Sequence, residues 1–346
     1  MRGTRVVIVG GGPVGLAAAV FAHHAGLHPV LIEAGSPDGD KACGEGLMPG
    51  VSPLLDELGI DPEGHELLGV SYSQANSRVD HRFVQAPGRG VRRTELVDAL
   101  RARLDQCGIE RTRARVTAVD HGPHGVRLSI AEGPDRHADY VLACDGLHST
   151  IAAQLGLVRP PARTSRRYGL RQHFQRAPWS SMIEVHYAGD TELYITPVSD
   201  DTVGVAVLGP KGLSLEGAIA QVPSVAGHLE GAEPASSLRG AGPFPHRVKK
   251  ARVGNVLLVG DAAGYVDAIT GEGLRVGFAQ AKEAVAAVSA GSPQSYPRRW
   301  RAVTREFRLL TRGLVLLARS PLRRRIVPLA RTFPGLFGAV VNRLAR

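Results

Sequence analysis

The chain has 346 residues, of which 43% are hydrophobic, and a formal net charge of +10 at pH 7. This length suits one or two joined domains; no run approaches the roughly 18 apolar residues of a membrane-spanning helix, and no nucleic-acid-binding motif accompanies the basic charge. The three cysteines, Cys43, Cys107 and Cys144, have the spacing of neither a disulfide framework nor a metal site, which favours a reducing cytoplasm and no bound metal.

The N-terminal segment carries the strongest local pattern. A β-branched run over residues 5–9 is followed by Gly10, Gly12 and Gly15 in the order G-x-G-x-x-G, and then by an alanine-rich stretch. This order predicts a strand, a tight turn and a helix whose N-terminal N–H groups face a pyrophosphate. We therefore expect a dinucleotide-binding β-α-β unit over residues 1–35.

An acidic residue closes the second predicted strand of this unit. The run over residues 28–32 is apolar and ends at Glu33, about 20 residues past the glycines. A carboxylate at this position accepts hydrogen bonds from a ribose diol and repels a 2′-phosphate. The bound adenosine is therefore expected to be unphosphorylated at that position.

The following segments, to residue 146, predict mixed helices and strands. Helix 93–104 places Leu96, Val97, Leu100 and Leu104 on one face. In chain order we predict a glycine-rich loop over the cofactor from Asp38 to Pro49, a helix over 51–58, paired strands over 70–84 with a turn near Asn76, the helix over 93–104, strands over 115–119 and 126–130, and a buried strand over 140–146.

The central part of the chain changes pattern. Residues 168–208 contain four β-like segments without helices between them, which predicts an antiparallel sheet. A short helix with loops over 210–238, a buried strand over 253–259 and a long helix over 272–289 follow. The predicted fold class is α/β: a Rossmann-like domain (1–70, 91–160 and 245–295), an inserted antiparallel sheet domain for substrate (71–90 and 161–244) and a basic C-terminal helical segment (296–346).

Three further motifs occur in a fixed order: Arg93 opens the sequence R-x-x-L, Asp145-Gly146 ends a strand, and Gly260-Asp261 follows another. With the glycine turn, they make the chain resemble, to about residue 290, the superfamily of FAD-dependent enzymes typified by para-hydroxybenzoate hydroxylase. That superfamily includes flavin-dependent halogenases and geranylgeranyl reductases. The halogenase signature W-x-W-x-I-P is not formed by Trp179 or Trp300.

The resemblance implies roles for these residues toward FAD. Asp261 is expected to bind a ribityl hydroxyl, Arg93 the pyrophosphate region, and Asp145-Gly146 to link FAD to a pyridine nucleotide. Plain structural readings stay open: a helix cap for Asp261, a solvated arginine for Arg93 and a strand-ending turn at Asp145. The residues expected to bind FAD are Gly10, Gly12, Pro13, Val14, Gly15, Glu33, Ala34, Cys43, Gly44, Arg93, Val116, Asp145, Gly146, Gly260, Asp261, Gly271, Gly273 and Leu274.

The loop around Cys43, together with residues 270–274, looks closest to the geranylgeranyl-reductase branch. In that branch the cysteine loop lies against the isoalloxazine, so Cys43 either tunes the flavin, touches substrate or is a small packing residue. Backbone N–H groups at Gly271–Leu274 would stabilise negative charge on reduced flavin. Residues 192–197 keep a tyrosine and a proline of the archaeal reductase motif but lack its tryptophan.

The resemblance implies an FAD-dependent oxidoreductase, and we first expect a monooxygenase of secondary metabolism. NAD(P)H would visit transiently and reduce FAD, and a flavin C4a-hydroperoxide formed from O₂ would hydroxylate a lipophilic aromatic or polyketide-like substrate. His173 and His186 are candidate catalytic bases, with packing roles as the alternative. Two other functions stay open: a geranylgeranyl-reductase-like reductase of prenyl C=C bonds, and a non-catalytic flavin-binding protein.

The C-terminal segment concentrates the positive charge. Residues 298–346 contain thirteen arginines and one acid, Glu306, among apolar residues. Pro321, Pro328 and Pro334 are predicted to break the segment into short helical pieces. Such a segment either contacts an anionic membrane surface or caps the substrate domain. With a strand starting near the N-terminus and no room for a signal peptide, we expect a cytoplasmic protein, either free or at the membrane periphery.

Overall fold

The computed structural model describes residues 4–35, 39–123, 125–160 and 166–346. Asp38, where the predicted cofactor loop begins, and residues 161–165, where a segment of the predicted substrate domain begins, lie outside these ranges. Within them the strands are β1 (Arg5–Val9), β2 (His28–Glu33), β3 (Gly46–Leu47), β4 (His65–Leu67), β5 (Gly69–Gln74), β6 (Ser77–Arg82), β7 (Gly88–Gly90), β8 (Glu110–Arg113), β9 (Val116–Gly122), β10 (Gly125–Ile130), β11 (Arg136–Ala138), β12 (Tyr140–Ala143), β13 (Val158–Arg159), β14 (Arg167–Gln175), β15 (Met182–Ala188), β16 (Thr191–Pro197), β17 (Thr202–Gly209), β18 (Arg239–Phe244), β19 (Arg247–Val248), β20 (Arg252–Val253) and β21 (Val256–Leu258).

The helices connect and cover these strands. Within the same ranges they are α1 (Pro13–His24), α2 (Ser52–Leu58), α3 (Arg93–Gln106), α4 (Thr150–Gln154), α5 (Leu215–Ala220), α6 (Pro223–Leu229), α7 (Gly273–Ser289), α8 (Tyr296–Ala318), α9 (Ile326–Thr332) and α10 (Pro334–Leu344). Helix α3 buries Leu96, Val97, Leu100 and Leu104, the four residues that the sequence places on one face.

A six-stranded sheet forms the centre of the first layer, in the order β20-β21-β12-β1-β2-β8. Its β8, β2, β1, β12 and β21 are parallel, and β20 pairs antiparallel at one edge. Alternate residues of β1 serve two cores: Val6 and Ile8 pack with α1, α3 and α7, whereas Val7 and Val9 pack on the side of β9 and β10. This double burial is why β1 is apolar throughout.

A seven-stranded sheet, in the order β18-β14-β17-β16-β15-β5-β6, forms the second layer. Leu193 and Val205 lie on the face that packs against α5 and α6. Ile183 and Tyr187 lie on the other face, with Ile269 and residues of α8, α9 and α10. Its β14–β17 stretch is the predicted antiparallel region, whereas β5 pairs parallel with β15. Together the two sheets confirm the predicted fold class.

The C-terminal segment differs from its prediction. Helix α8 runs without a break for 23 residues. Pro321 and Pro334 follow at later breaks, but Pro328 lies in the first turn of α9, where a helix does not need the missing amide N–H. The prolines therefore shape only the last part of the segment.

Candidate functional site: a dinucleotide cradle beneath a buried charged network

The glycine turn between β1 and α1 is shaped by two close contacts and one opening. Gly10 has φ +115° and its N–H donates to the Ile32 carbonyl over 2.8 Å. A Cβ on Gly15 would lie 1.8 Å from the Gly10 carbonyl oxygen, so the helix can approach only with glycine there. A Cβ on Gly12 would meet only the Arg93 Nη2, at 3.6 Å. The open position beside a guanidinium suits a phosphate.

The carboxylate of Glu33 lies across this turn. A Cβ on Gly11 would come within 1.9 Å of Glu33 Oε2, and Arg101 Nη2 lies 3.4 Å from the same oxygen. The next residue, Ala34, is exposed. This position at the carboxyl end of β2 is where a ribose diol is held in dinucleotide folds.

The remaining N-terminal residues of the predicted set support the turn by packing. Pro13 begins α1, and Val14 touches α7, where a Cβ on Gly277 would lie 2.5 Å from Val14 Cγ2. Val116, also expected to bind FAD, does not support the turn: it lies at the start of β9 and is buried in the core on the far face of the parallel sheet.

A second arm of the cradle brings together Arg93, Lys41 and Asp261. The Arg93 Nε donates to the Gly39 carbonyl over 3.0 Å, which holds the guanidinium at the opening. Asp261 lies in the turn after β21, and burial raises its pKa to about 6 against the opposing charges of Arg93 and Lys41. A buried carboxyl group at the end of a strand suits a ligand whose hydroxyl group would hydrogen-bond to it.

The start of α7 closes the cradle. Gly260 donates its N–H to Gln280 Oε1 over 3.0 Å, and Gly271 has φ +70° beside the Met48 side chain. Gly273 and Leu274 occupy the first turn of α7, so their backbone N–H groups point outward from the helix start. Burial raises the pKa of the neighbouring Glu272 to about 7, although Arg275 lies beside it.

Asp145 has a structural role in this fold. Its Oδ2 accepts from the Ile151 N–H at 3.0 Å and from the Thr150 hydroxyl at 3.3 Å, which caps α4. Its Oδ1 is buried and has no hydrogen-bond partner among the described residues. Gly146 follows with φ +82°. One oxygen therefore remains for a ligand after the capping bonds are made.

The sequence pattern did not single out Glu45, which anchors the cysteine loop to the sheet. Glu45 is 3% exposed and has φ +59°, a strained conformation for a residue other than glycine. Its Oε2 lies 2.6 Å from His173 Nε2, and its Oε1 accepts from the Arg93 N–H over 2.9 Å. These bonds join the loop, β14 and α3.

Arg171, two residues before His173 on β14, is 1% exposed and extends this network. It donates to Asp40 and, over 3.0 Å, to the Lys41 carbonyl, and Arg239 Nε reaches the other oxygen of Asp40 at 3.0 Å. Burial alone raises the pKa of Asp40, but hydrogen bonds from the two arginines bring it below its usual value. The sequence signal for this network is a pair of polar residues on one face of the predicted strand, Arg171 and His173, with Arg167 just before the strand.

The two candidate bases occupy different faces of the sheet. His173 is 2% exposed and held between Glu45 and the Ser236 hydroxyl, 2.9 Å from its Nδ1. His186 lies on β15 beside Glu184 at 3.1 Å, and Glu184 also accepts from Trp179. Since Trp179 packs with the α5 and α6 core, His186 is on the face opposite the cysteine loop.

Cys43 lies at the front of the anchored loop and keeps partial exposure. Burial raises the pKa of its thiol despite the nearby charges of Arg93 and Arg171. Gly44 next to it is exposed and its carbonyl accepts from the Thr196 hydroxyl over 3.0 Å. Tyr265 is within electrostatic reach of Cys43, and its pKa is raised well above its usual value by burial. The site therefore holds protonated groups beside the cradle.

A second buried charge cluster ties the C-terminal segment to this face. Arg167 donates to Glu192 and, over 3.2 Å, to Asp267, and Arg323 Nη2 lies 3.1 Å from the other oxygen of Glu192. Tyr194, from the segment compared with the archaeal reductase motif, donates to the Ile269 carbonyl over 3.4 Å. The cluster fixes the loop before α7 against the sheet.

These features fit FAD: an open glycine turn for the pyrophosphate, two carboxylates for the sugar hydroxyls and a helix start for the flavin. A family model described as FAD binding domain matches residues 3–290. The chain belongs to this FAD-binding family. The protein is therefore an FAD-dependent oxidoreductase. Members of the family include monooxygenases and reductases.

Individual known proteins are similar to this chain over different lengths. A flavoprotein/dehydrogenase from Cytophaga hutchinsonii superposes with a TM-score of 0.85 at 16% identity, covering 99% of this chain and 92% of that one. Menaquinone reductase of Mycobacterium tuberculosis is 29% identical over 79% of this chain and 73% of that protein. FAD-dependent monooxygenase aurC of Calcarisporium arbuscula is 27% identical over 47% of this chain and 37% of that protein.

Two features are absent from the described residues. None of their helices has the length and apolar character needed to cross a bilayer. No group of three or more histidine, cysteine, aspartate or glutamate side chains within those residues is arranged to hold a metal ion.

Proposed function

We propose that this protein is an FAD-dependent reductase of C=C bonds in the isoprenoid chain of a lipid. The observation that carries the proposal is the Cys43 thiol, partly exposed, protonated and held at the cradle by the Glu45 network. Reduction of an isolated double bond needs a hydride for one carbon and a proton for the other. A bound, reduced flavin supplies the hydride, and the protein must supply the proton.

The loop geometry suits Cys43 as the proton donor. Glu45 binds His173 and the start of α3, so the loop cannot move away from the sheet without breaking buried bonds. The raised pKa keeps the proton on sulfur until a neighbouring carbon takes it. Because Cys43 is partly exposed, a proton from solvent water would return to the sulfur after each turnover.

The extent of the match also supports a reductase. The menaquinone reductase relative matches 79% of this chain, and menaquinone carries an isoprenoid chain. The monooxygenase relative matches less than half of this chain. We further propose NAD(P)H as the visiting reductant that reloads the flavin.

The monooxygenase remains the second candidate because a named FAD-dependent monooxygenase is among the relatives. Hydroxylation of a phenol gains from a base that removes the phenol proton. His173 already bonds Glu45 and Ser236, and His186 bonds Glu184 on the far face. Both expected bases are buried and already hydrogen-bonded in this arrangement, which favours the reductase.

An anaerobic turnover experiment tests the proposal. The FAD-loaded protein, reduced with dithionite, is mixed with menaquinone in detergent, and the visible absorbance of oxidised flavin is followed. We expect reoxidation without O₂ and a product that stays heavier by two hydrogen atoms after air returns any quinol to quinone. No anaerobic reoxidation, or a product gaining one oxygen atom in air, would contradict the reductase.

Variants of the thiol separate its role from packing. Cys43→Ala removes the proton and is expected to slow flavin reoxidation by the lipid by about a hundredfold or more, whereas Cys43→Ser keeps an O–H donor and part of the rate. Reduction of the flavin by NAD(P)H serves as the control, because that step needs no proton from Cys43. Equal slowing of both steps would indicate a packing role.

A further inference from the structure

The C-terminal segment is packed on one side and open on the other. Its buried side includes Phe307, Thr311, Val327 and Val341. Val327 and Val341 pack with the seven-stranded sheet, Thr311 Oγ1 lies 3.4 Å from Thr270 Oγ1, and α8 packs on α7. Arg323 adds a buried ion pair with Glu192. The segment is therefore a fixed part of the fold, and its outer side keeps one orientation.

Large apolar side chains are concentrated on the outer side. In the part of the chain that the structure describes, eight large hydrophobic residues are exposed, and six of them belong to this segment. They are Leu309, Leu316, Leu322, Leu329, Phe333 and Leu336, with exposed fractions of 48–71%. Soluble surfaces carry single exposed leucines, but such a concentration marks a binding surface.

The same stretch is strongly basic. Residues 305–346 contain ten arginines, no lysine and one acid, Glu306, which pairs with Arg343. Arg312, Arg324, Arg325 and Arg331 are exposed among the six apolar residues. On α8 the exposed positions 305, 309, 312 and 316 follow helical spacing, so arginine and leucine alternate along one face.

We propose that this outer side, residues 305–336, docks on the surface of an anionic lipid bilayer. The leucines and Phe333 enter the interface, and the exposed arginines meet lipid phosphates. A second copy of the chain would present the same positive charge and be repelled, and a nucleic acid would leave the apolar residues in water. The absence of a membrane-crossing helix among the described residues suits a segment that lies on the bilayer.

The surface also has a place in the proposed function. The inner side of the segment packs on β5 and β6 and in the apolar cluster that contains Ile269 and Tyr265, beside the cradle. A lipid drawn from the bilayer would thus enter next to the site that reduces it. This last step rests on the proposed function, whereas docking itself does not.

Vesicle flotation of the full-length, FAD-loaded protein tests the docking. Vesicles of phosphatidylcholine alone are compared with vesicles that also contain phosphatidylglycerol. We expect binding to the anionic vesicles that weakens as salt rises, and much less binding to the neutral ones. No binding of the wild-type protein to anionic vesicles would overturn the proposal.

Two variants and a control separate the contributions. The apolar variant combines Leu316→Ser, Leu322→Ser and Phe333→Ser. The charge variant combines Arg324→Glu and Arg325→Glu. Each is expected to bind anionic vesicles about tenfold or more weakly than wild type. Leu238→Ser with Lys211→Glu changes exposed residues elsewhere and should bind as wild type. The flavin spectrum checks folding of each variant.

The other occupants give distinct results. Membrane docking would be overturned if the wild-type protein were a dimer that the apolar variant dissociates. It would also be overturned if the protein bound RNA and not vesicles, and the apolar variant left RNA binding unchanged. Vesicle binding without anaerobic lipid reduction would refute the proposed function and leave docking intact, and the reverse result would refute docking alone.

Discussion

At the scale of single residues, the burial of Asp261 costs stability at neutral pH. Burial raises its pKa to about 6, from a usual 3.8. Between these values the folded protein holds the proton that the unfolded chain has lost. The stability present below about pH 4 is therefore lost as pH rises toward and through about 6, by up to about 3 kcal/mol.

Replacing this carboxyl group should remove that loss. FAD-free Asp261→Asn is expected to lose less stability than the FAD-free wild type between about pH 4 and pH 7, and to bind FAD more weakly. Urea unfolding across this range measures the difference, with the exposed Asp190→Asn as a control. Glu272, whose pKa is also raised, is present in all three proteins, so parallel pH profiles of Asp261→Asn and wild type would contradict the prediction.

At this scale, the sequence predicts the geometry of a local turn better than it predicts contacts between distant segments. The turn at Gly10, Gly12 and Gly15 has the contacts that its spacing implies, because a tight turn leaves no alternative to glycine. The bonds of Glu45 to His173 and of Arg171 to Asp40 join segments about 130 residues apart, which no local period reveals.

At the scale of elements, α8 and the turn after it contribute to the core through Arg323. Arg323→Ala would leave Glu192, buried and 1% exposed, with Arg167 and without its second cation. We expect a loss of about 3 kcal/mol in the free energy of unfolding. The exposed neighbour Arg324 is the matched control, and Arg324→Ala should change stability by less than about 0.5 kcal/mol.

Urea unfolding of the FAD-loaded variants makes this comparison. Equal stability of Arg323→Ala and Arg324→Ala would show that the buried pair does not hold the segment. The flavin spectrum of each variant, recorded before unfolding, shows that the cradle itself is intact.

Element prediction depended on length and on burial pattern. The long amphipathic helices α3 and α7 have a clear period, and their predicted bounds lie close to the observed ones. The two- and three-residue strands β3, β4 and β7 form only by pairing with one another, so their own sequences carry little signal. On β15, residues 183–187 are all buried, and burial on both faces hid the side on which His186 lies.

At the scale of the whole molecule, the cradle depends on three distant parts of the chain. The glycine turn near residue 12, Arg93 on α3 and Asp261 after β21 meet at the edge of the parallel sheet, and the Cys43 loop is anchored above them. Both the proposed lipid reduction and the proposed role of Cys43 require FAD to span this arrangement.

FAD titration of the apoprotein of Gly12→Ala, beside wild type, tests this most directly. An added Cβ at this position meets no protein atom closer than 3.6 Å, so the variant should unfold at the wild-type urea concentration yet bind FAD about tenfold or more weakly. Gly15→Ala, whose Cβ would lie 1.8 Å from a carbonyl oxygen, should instead lose stability. Wild-type FAD affinity in Gly12→Ala would contradict the cradle described here.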